Sequence, residues 1–134
     1  MEHRLDSNTK IIATADEVNQ NGRRYLHSTL VEIVNSHGMR EVMGMIDSGG
    51  TSPSFSVDIS RVSHIVNNLR MEGNHLVGDV KVIRSPAGDM LNSLMTANVD
   101  VQYTLSGCGN VEMIDGIRTI TNYQLRSIDV SPLK

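Results

Sequence analysis

Apolar side chains recur every three or four residues in two stretches of the chain, which is the spacing of an amphipathic helix. The first predicted helix covers residues 28–37, with Ser28 as its N-cap and Gly38 just past its end. The second covers residues 89–97 and has Pro86 near its start, where proline is tolerated. The pattern therefore predicts two helices, well separated along the sequence.

Shorter half-apolar runs indicate β-strands elsewhere in the chain. Two of these runs flank a short connection that contains Gly73, which is typical of a hairpin. A second hairpin is predicted around the Asp115-Gly116 pair, because such pairs favour tight turns. The strands expected from these runs lie at residues 10–18, 40–47, 63–71, 75–83, 99–105, 111–114 and 117–130.

Two segments rich in glycine and serine, residues 48–54 and 106–110, follow predicted strands and are expected to be loops. A further turn is expected at residues 19–22. The order of elements favours an α+β domain, with a small, mainly antiparallel β-barrel or curved sheet flanked by the two helices. We expect a polar N-terminal arm at residues 1–9 and a single domain at residues 10–134.

The composition of the chain argues against several classes of function. Twelve Lys and Arg and 15 Asp and Glu are interspersed and give a net charge of -3, which disfavours direct binding of nucleic acid. The sequence has no signal peptide and no apolar run that approaches a membrane span, so we expect no membrane partner. The single cysteine, Cys108, excludes an internal disulfide and cannot alone hold zinc. We therefore expect a reducing compartment, with no metal and no cofactor.

The hydroxyl groups of the two Gly/Ser segments suggest a serine hydrolase, but neither segment contains a G-x-S-x-G motif. A nucleophilic serine needs a base within hydrogen-bond reach, and all five histidines lie outside both segments. His64 alternates with apolar neighbours, which is more typical of a packed or surface residue, and His75 at a hairpin start is typical of a solvated one. Cys108 lies between two glycines with no adjacent His or Lys to activate its thiol. The residues alone therefore favour a non-catalytic domain.

Five segments of the chain match, in the same order, the motifs of one known family. They read N-Q-N-G-R-R-Y at 19–25, G-M-I-D-S at 44–48, M-E-G-N-H-L-V-G at 71–78, Q-Y-T-L-S-G-C-G-N at 102–110 and D-V-S-P at 129–132. The corresponding family motifs are N-x-N-x-R-x-Y-P, G-E-L-[DN]-H-P, W-x-G-N-x-[VL]-x-G, G-V-S-S-R-G-x-G-S and D-x-V-x-x-P. The chain thus resembles the prohead (capsid assembly) proteases of tailed bacteriophages, of the T4 type. The resemblance implies a prohead-protease-like fold.

The chain departs from that family at the residues that carry the chemistry. Ser48 stands where the family motif has its catalytic His, and Thr104 stands where the motif has its nucleophilic Ser. Ser106 replaces the Arg of the same motif. Since loss of triad members typically costs about 10⁴- to 10⁶-fold in rate, the resemblance implies a pseudoenzyme.

We therefore expect a non-catalytic structural protein of a phage head, either a capsid decoration, a cement or an internal capsid protein. Its expected partners are the major capsid protein or other head proteins, and self-association of the chain is left open. The expected location is the virion head, and the host cytoplasm during assembly. One alternative is a divergent, active prohead serine protease with Ser106 or Cys108 as nucleophile and His64 or His75 as base. The other is an assembly factor that does not remain in the virion.

Overall fold

A computed structural model describes residues 8–19, 22–37, 40–46 and 59–132 of the chain. The predicted loop at 48–54 and most of the predicted arm lie outside these residues, although Thr9 is already the first residue of a strand. The strands are β1 (Thr9–Thr14), β2 (Arg23–Tyr25), β3 (Val42–Met45), β4 (Val62–Glu72), β5 (His75–Val82), β6 (Val101–Ile114) and β7 (Ile117–Pro132). The helices are α1 (His27–His37) and α2 (Pro86–Thr96), and a 3-10 turn covers Ile59–Arg61.

The strands form two sheets that curl towards one another. One sheet has the order β1-β5-β4-β3, with every pair antiparallel, and the other has the order β2-β7-β6. A bridge between Ile46 and Val130 joins β3 to β7, and β1 contacts β6 on the far side. Helix α1 packs against β7 and β4, and α2 packs against β4 and β5. The predicted α+β class, with a curved, mainly antiparallel sheet and two helices, is confirmed.

Both predicted hairpins are present. Strands β4 and β5 pair around Gly73, and β6 and β7 pair along almost their whole length. In the second turn, Asp115 and Gly116 have φ values of 53° and 77°, as a two-residue turn of the mirror-image type requires. The residue types of this turn were therefore a reliable signal.

The helices differ from prediction at their starts. Helix α1 begins at His27, so Ser28 lies inside its first turn and is not the cap that the sequence suggested. Helix α2 begins at Pro86, three residues before the predicted start, because the Ser85 hydroxyl accepts a hydrogen bond from the Gly88 amide at 2.9 Å. Ser85 is therefore the N-cap that the prediction missed.

The loop predicted at residues 106–110 is wrong, since these residues form the middle of β6. A Cβ added at Gly107 would overlap the carbonyl oxygen of Gln124, and one at Gly109 would overlap that of Asn122. The two glycines thus allow close approach of β7 and do not make a turn. Strand β2 was also missed, because its three residues pair in parallel with β7, which is distant in sequence.

The interior is mainly apolar, with buried polar side chains at Thr29, at Thr119 and in one group on β4 and β7. Leu30, Ile33, Leu76, Leu91 and Ile128 are among the fully buried apolar residues. The buried polar residues of the β4 and β7 region are Ser63, His64, Ser127 and Asp129. Because buried polar groups are costly unless they are hydrogen-bonded, this cluster is where a functional site is to be sought.

Candidate functional site

Thr104, the residue at the nucleophile position of the family motif, lies on β6 directly across from Asp129 on β7. Two residues further along, Ser106 lies across from Ser127. Directly opposed residues of antiparallel strands share one face of the sheet. The pairing therefore brings two hydroxyl-bearing residues of β6 next to the buried polar residues of β7.

The Asp129 side chain is 7% exposed and already has two hydrogen-bond donors. Its Oδ1 atom accepts from the backbone amide of Met45 at 3.1 Å and from the Ser127 hydroxyl at 2.9 Å. These bonds tie the end of β3 to β7, next to the bridge between Ile46 and Val130. The carboxylate therefore has a clear structural role at the junction of the two sheets.

His64 is fully buried, and both of its ring nitrogens are engaged. Nε2 lies 2.7 Å from the carbonyl oxygen of Ile128, and Nδ1 lies 2.7 Å from the Ser63 hydroxyl. Because a carbonyl can only accept, Nε2 carries the proton and Nδ1 of the neutral ring accepts from Ser63. Burial lowers the pKa of His64, against the smaller opposing effects of the Ile128 carbonyl and the Asp129 carboxylate. His64 is therefore a neutral, hydrogen-bonded core residue.

Two further residues enclose the His64 ring. A Cβ at Gly44 would overlap both the Ile128 carbonyl oxygen and His64 Nε2, so only glycine fits there. The Tyr103 ring lies edge to face with the imidazole, with 5.6 Å between ring centroids. Its hydroxyl is buried without a hydrogen-bond partner in the described part of the chain, and burial raises its pKa. The His64 ring is thus packed closely between Gly44 of β3 and Tyr103 of β6.

Ser106 is hydrogen-bonded to an arginine and not to a histidine. The Nη2 atom of Arg126 on β7 donates a short hydrogen bond to the Ser106 hydroxyl oxygen. A guanidinium can only donate, so this contact does not remove a proton from the serine. Where the family motif has an Arg on β6, this chain has a serine that receives a guanidinium from the neighbouring strand.

Cys108 is exposed and lines a groove between the C-terminal half of α1 and the β6–β7 ribbon. The groove has a volume of about 630 Å³, and its walls include His37, Arg40 and Arg126. Burial and the nearby Arg40 charge lower the pKa of His37. The fold thus places an imidazole and two guanidinium groups in the same groove as the single thiol, although none of them is adjacent to it in sequence.

The remaining candidates lie apart from this cluster. His75 hydrogen-bonds through Nδ1 to the Thr14 hydroxyl at 3.0 Å, across the β1–β5 pair. Ser48 lies outside the described residues. Among the residues that are described, no histidine side chain hydrogen-bonds to Thr104, Ser106 or Cys108.

Within the same described ranges, no group of three or more His, Cys, Asp and Glu side chains is arranged to hold a metal ion. No helix in these ranges is long and apolar enough to span a membrane.

The structure resembles that of the bacteriophage T4 capsid assembly protease, gp21, with a TM-score of 0.79. The match covers 92% of this chain and 79% of the other, at 22% sequence identity. This chain has the fold of a capsid assembly protease. No protein-family model matches the sequence, and no curated protein matches it. The fold implied by the ordered sequence motifs is thereby confirmed.

Two features of the site escaped the sequence analysis. Asp129 belongs to a matched segment, but no role was assigned to it, because neither its burial nor its Met45 partner is visible in the local pattern. The basic residues of the Cys108 groove come from the end of α1, from Arg40 just after it and from β7, which are distant in sequence from Cys108 or from each other. For Asp129, the short matched motif at 129–132 was the one available signal. For the basic residues of the Cys108 groove, the sequence contained no signal.

Proposed function

We propose that this protein is a non-catalytic component of a phage head, built on the capsid assembly protease fold. The fold likeness supports an association with phage capsid assembly. The proposal that the protein is non-catalytic rests on the hydrogen bonds of His64, the buried histidine of the polar cluster. Nε2 is bound to the Ile128 carbonyl, and the lone pair of Nδ1 is already taken by the Ser63 hydroxyl, so His64 has no lone pair left for Thr104, Ser106 or Cys108.

The hydroxyl at the nucleophile position gives further support. Thr104 lies across from a carboxylate whose Oδ1 is bound to Met45 and Ser127, and no described histidine bonds to it. A threonine or serine hydroxyl without an adjacent base is a weak nucleophile. The role that fits is structural, as a decoration, cement or internal capsid protein whose partners are the major capsid protein or other head proteins.

A divergent protease is the second candidate, and the groove around Cys108 is the observation that favours it. A thiol in a groove that also contains His37 has the residue types of a cysteine nucleophile and its base. In this candidate, His37 takes the role of the base that the sequence assigned to His64 or His75. His64 is hydrogen-bonded to Ser63 and Ile128, and His75 is hydrogen-bonded to Thr14.

One experiment separates the two candidates. The purified full chain is incubated with the capsid and scaffold proteins of its own phage, and cleavage is followed by mass spectrometry. We expect no cleavage and no labelling of Ser106 by a fluorophosphonate. Cleavage that is lost in Cys108→Ala or Ser106→Ala but kept in Ser93→Ala, a serine on the exposed side of α2, would establish the protease instead.

The structural role is tested by measuring how much of the protein purified phage heads contain. Quantitative mass spectrometry of purified mature virions is expected to find the chain at a fixed ratio to the major capsid protein. Presence in proheads with loss from mature virions would instead identify an assembly factor. Absence from both particles would refute a head role altogether.

A further inference from the structure

The outer edge of β6 pairs with no described strand over residues 107–113. Strand β6 has β7 on one side, and no other described strand pairs with it. Residues 107–113 are all exposed, whereas residues 101–106 are half-buried or buried. An exposed strand edge presents unpaired backbone amides and carbonyls to another strand.

This edge lacks the usual protection against pairing. Residues 107–113 contain no Lys, Arg or Pro, and Glu112 is their only charge. The ribbon has two register shifts, but in both the additional residue, Thr121 or Arg126, is on β7. Strand β6 therefore runs without a bulge of its own and remains a regular edge.

The direction of the free backbone groups follows from Asn110. Its amide donates to Asn122 Oδ1 at 3.2 Å, and its carbonyl accepts from the Thr121 hydroxyl at 3.5 Å. Both partners are on β7, so the backbone of Asn110 points inward. Because backbone groups alternate along a strand, those of Gly109, Val111 and Met113 point outward.

We propose that this edge pairs antiparallel with the same edge of a second copy of the chain, with Val111 of both copies at the two-fold axis. The pairing would exchange both backbone hydrogen bonds between the two Val111 residues and join the three-stranded sheets into one of six strands. The proposal uses only the edge itself, so it does not depend on the proposed function.

The side chains of the edge are complementary to themselves in this register. Met113 lies opposite Gly109 of the other copy, whose missing side chain leaves room for the thioether. Glu112 lies opposite the Asn110 amide, so no like charges meet. Val111 and Met113, which are 44% and 65% exposed, share a face and would form one apolar patch across the axis. This self-complementarity favours a second copy over an unrelated strand.

Disulfide trapping tests both the contact and its register. In a Cys108→Ser background, which removes the only cysteine, Val111→Cys places two thiols at the axis. Directly paired residues have Cα atoms about 5.5 Å apart, within the range of a disulfide. We expect mild oxidation to give a covalent dimer of Val111→Cys, while Asn110→Cys and Met113→Cys, which do not face themselves, should form no disulfide between the two copies. Equal trapping of all three variants, or of none, would overturn the proposal, and trapping of Asn110→Cys alone would overturn the register.

Solution mass provides the second test. Sedimentation of the wild-type chain is expected to give twice the chain mass of 14.7 kDa. Val111→Lys, which places two like charges at the axis, should give a monomer that is still folded by circular dichroism, because the side chain is exposed in the monomer. Met90→Lys on α2, where the methionine is 59% exposed, is the matched control and should remain dimeric. A monomeric wild type, or a Val111→Lys variant that dimerises equally well, would reject the interface.

Discussion

Thr104 and Asp129 face each other across the β6–β7 ribbon, and the carboxylate of Asp129 is bound to the opposite sheet and not to the threonine. The position that resembles a nucleophile therefore adjoins a group that holds the barrel together. This relationship predicts that substitutions at the two positions affect the protein very differently.

Asp129→Ala should destabilise the fold by about 3 kcal/mol, because it leaves the buried Met45 amide and the Ser127 hydroxyl without an acceptor. Ser127→Ala removes one of the two bonds and should cost about 1 kcal/mol. Thr104→Ser should change the free energy of unfolding by less than about 0.5 kcal/mol. Urea denaturation of the three variants measures this order, and equal losses would contradict the assigned role of the carboxylate.

Gly44→Ala should be among the most damaging single-methyl substitutions in the chain. The added Cβ overlaps backbone at Ile128 and the ring of His64, so β3 must move away from β7, at a cost of about 3 kcal/mol. Gly73→Ala is the control, since it has open space but a φ of +63°, and should cost about 1 kcal/mol. Thermal unfolding compares the two, and a milder effect at Gly44 would mean that the strands are less closely packed.

Stability should decrease as the pH falls below neutrality. Burial lowers the pKa of His64 in the folded state, so below about pH 6.5 the unfolded chain binds a proton that the folded chain does not. The free energy of unfolding should then fall by up to about 1.4 kcal/mol per pH unit, until the folded-state pKa is reached. His37, whose pKa is also lowered, adds a dependence of the same sign.

His64→Gln isolates this effect. The variant should be less stable at pH 7.5, because a buried imidazole and its two hydrogen bonds are altered, but its stability should change less between pH 7.5 and pH 5.5 than that of the wild type. His27→Gln, in which an exposed imidazole is removed from α1, is the matched control. If the wild type and His64→Gln show parallel pH profiles, His64 is not the group that titrates.

Ser85→Ala should loosen the attachment of α2. The Ser85 hydroxyl accepts from the Gly88 amide at the start of α2 and donates to the Val62 carbonyl of β4 at 2.8 Å. Loss of both bonds should cost about 2 kcal/mol, whereas Ser85→Thr keeps the hydroxyl and should cost less. Hydrogen exchange at the first amides of α2 follows the local effect, and unchanged protection in Ser85→Ala would contradict it.

The sequence predicted the elements that depend on local signals. The Asp115-Gly116 turn and the apolar spacing of both helices were sufficient to place one hairpin and two helices. The glycines at 107 and 109 led to the wrong prediction of a loop at 106–110. Close contact between strands and a turn can both require glycine, and the local pattern does not distinguish them. Candidate residues could be named from motifs, but the hydrogen bonds of His64 and Asp129 depend on β3 and β7, which meet only in the folded chain.

The parallel pairing of β2 with β7 joins residues 95 positions apart, and Arg24 reinforces it with two hydrogen bonds to the Thr119 hydroxyl. Strand β1 likewise pairs with β5, across more than sixty residues. Closing such long segments has a large entropic cost before the contacts form, so proteins of this kind reach the native state in milliseconds to seconds and not in microseconds. Strands β1 and β2 therefore cannot pair until the later strands have formed, and during that time the edge of β6, which no described strand covers, is exposed to neighbouring chains.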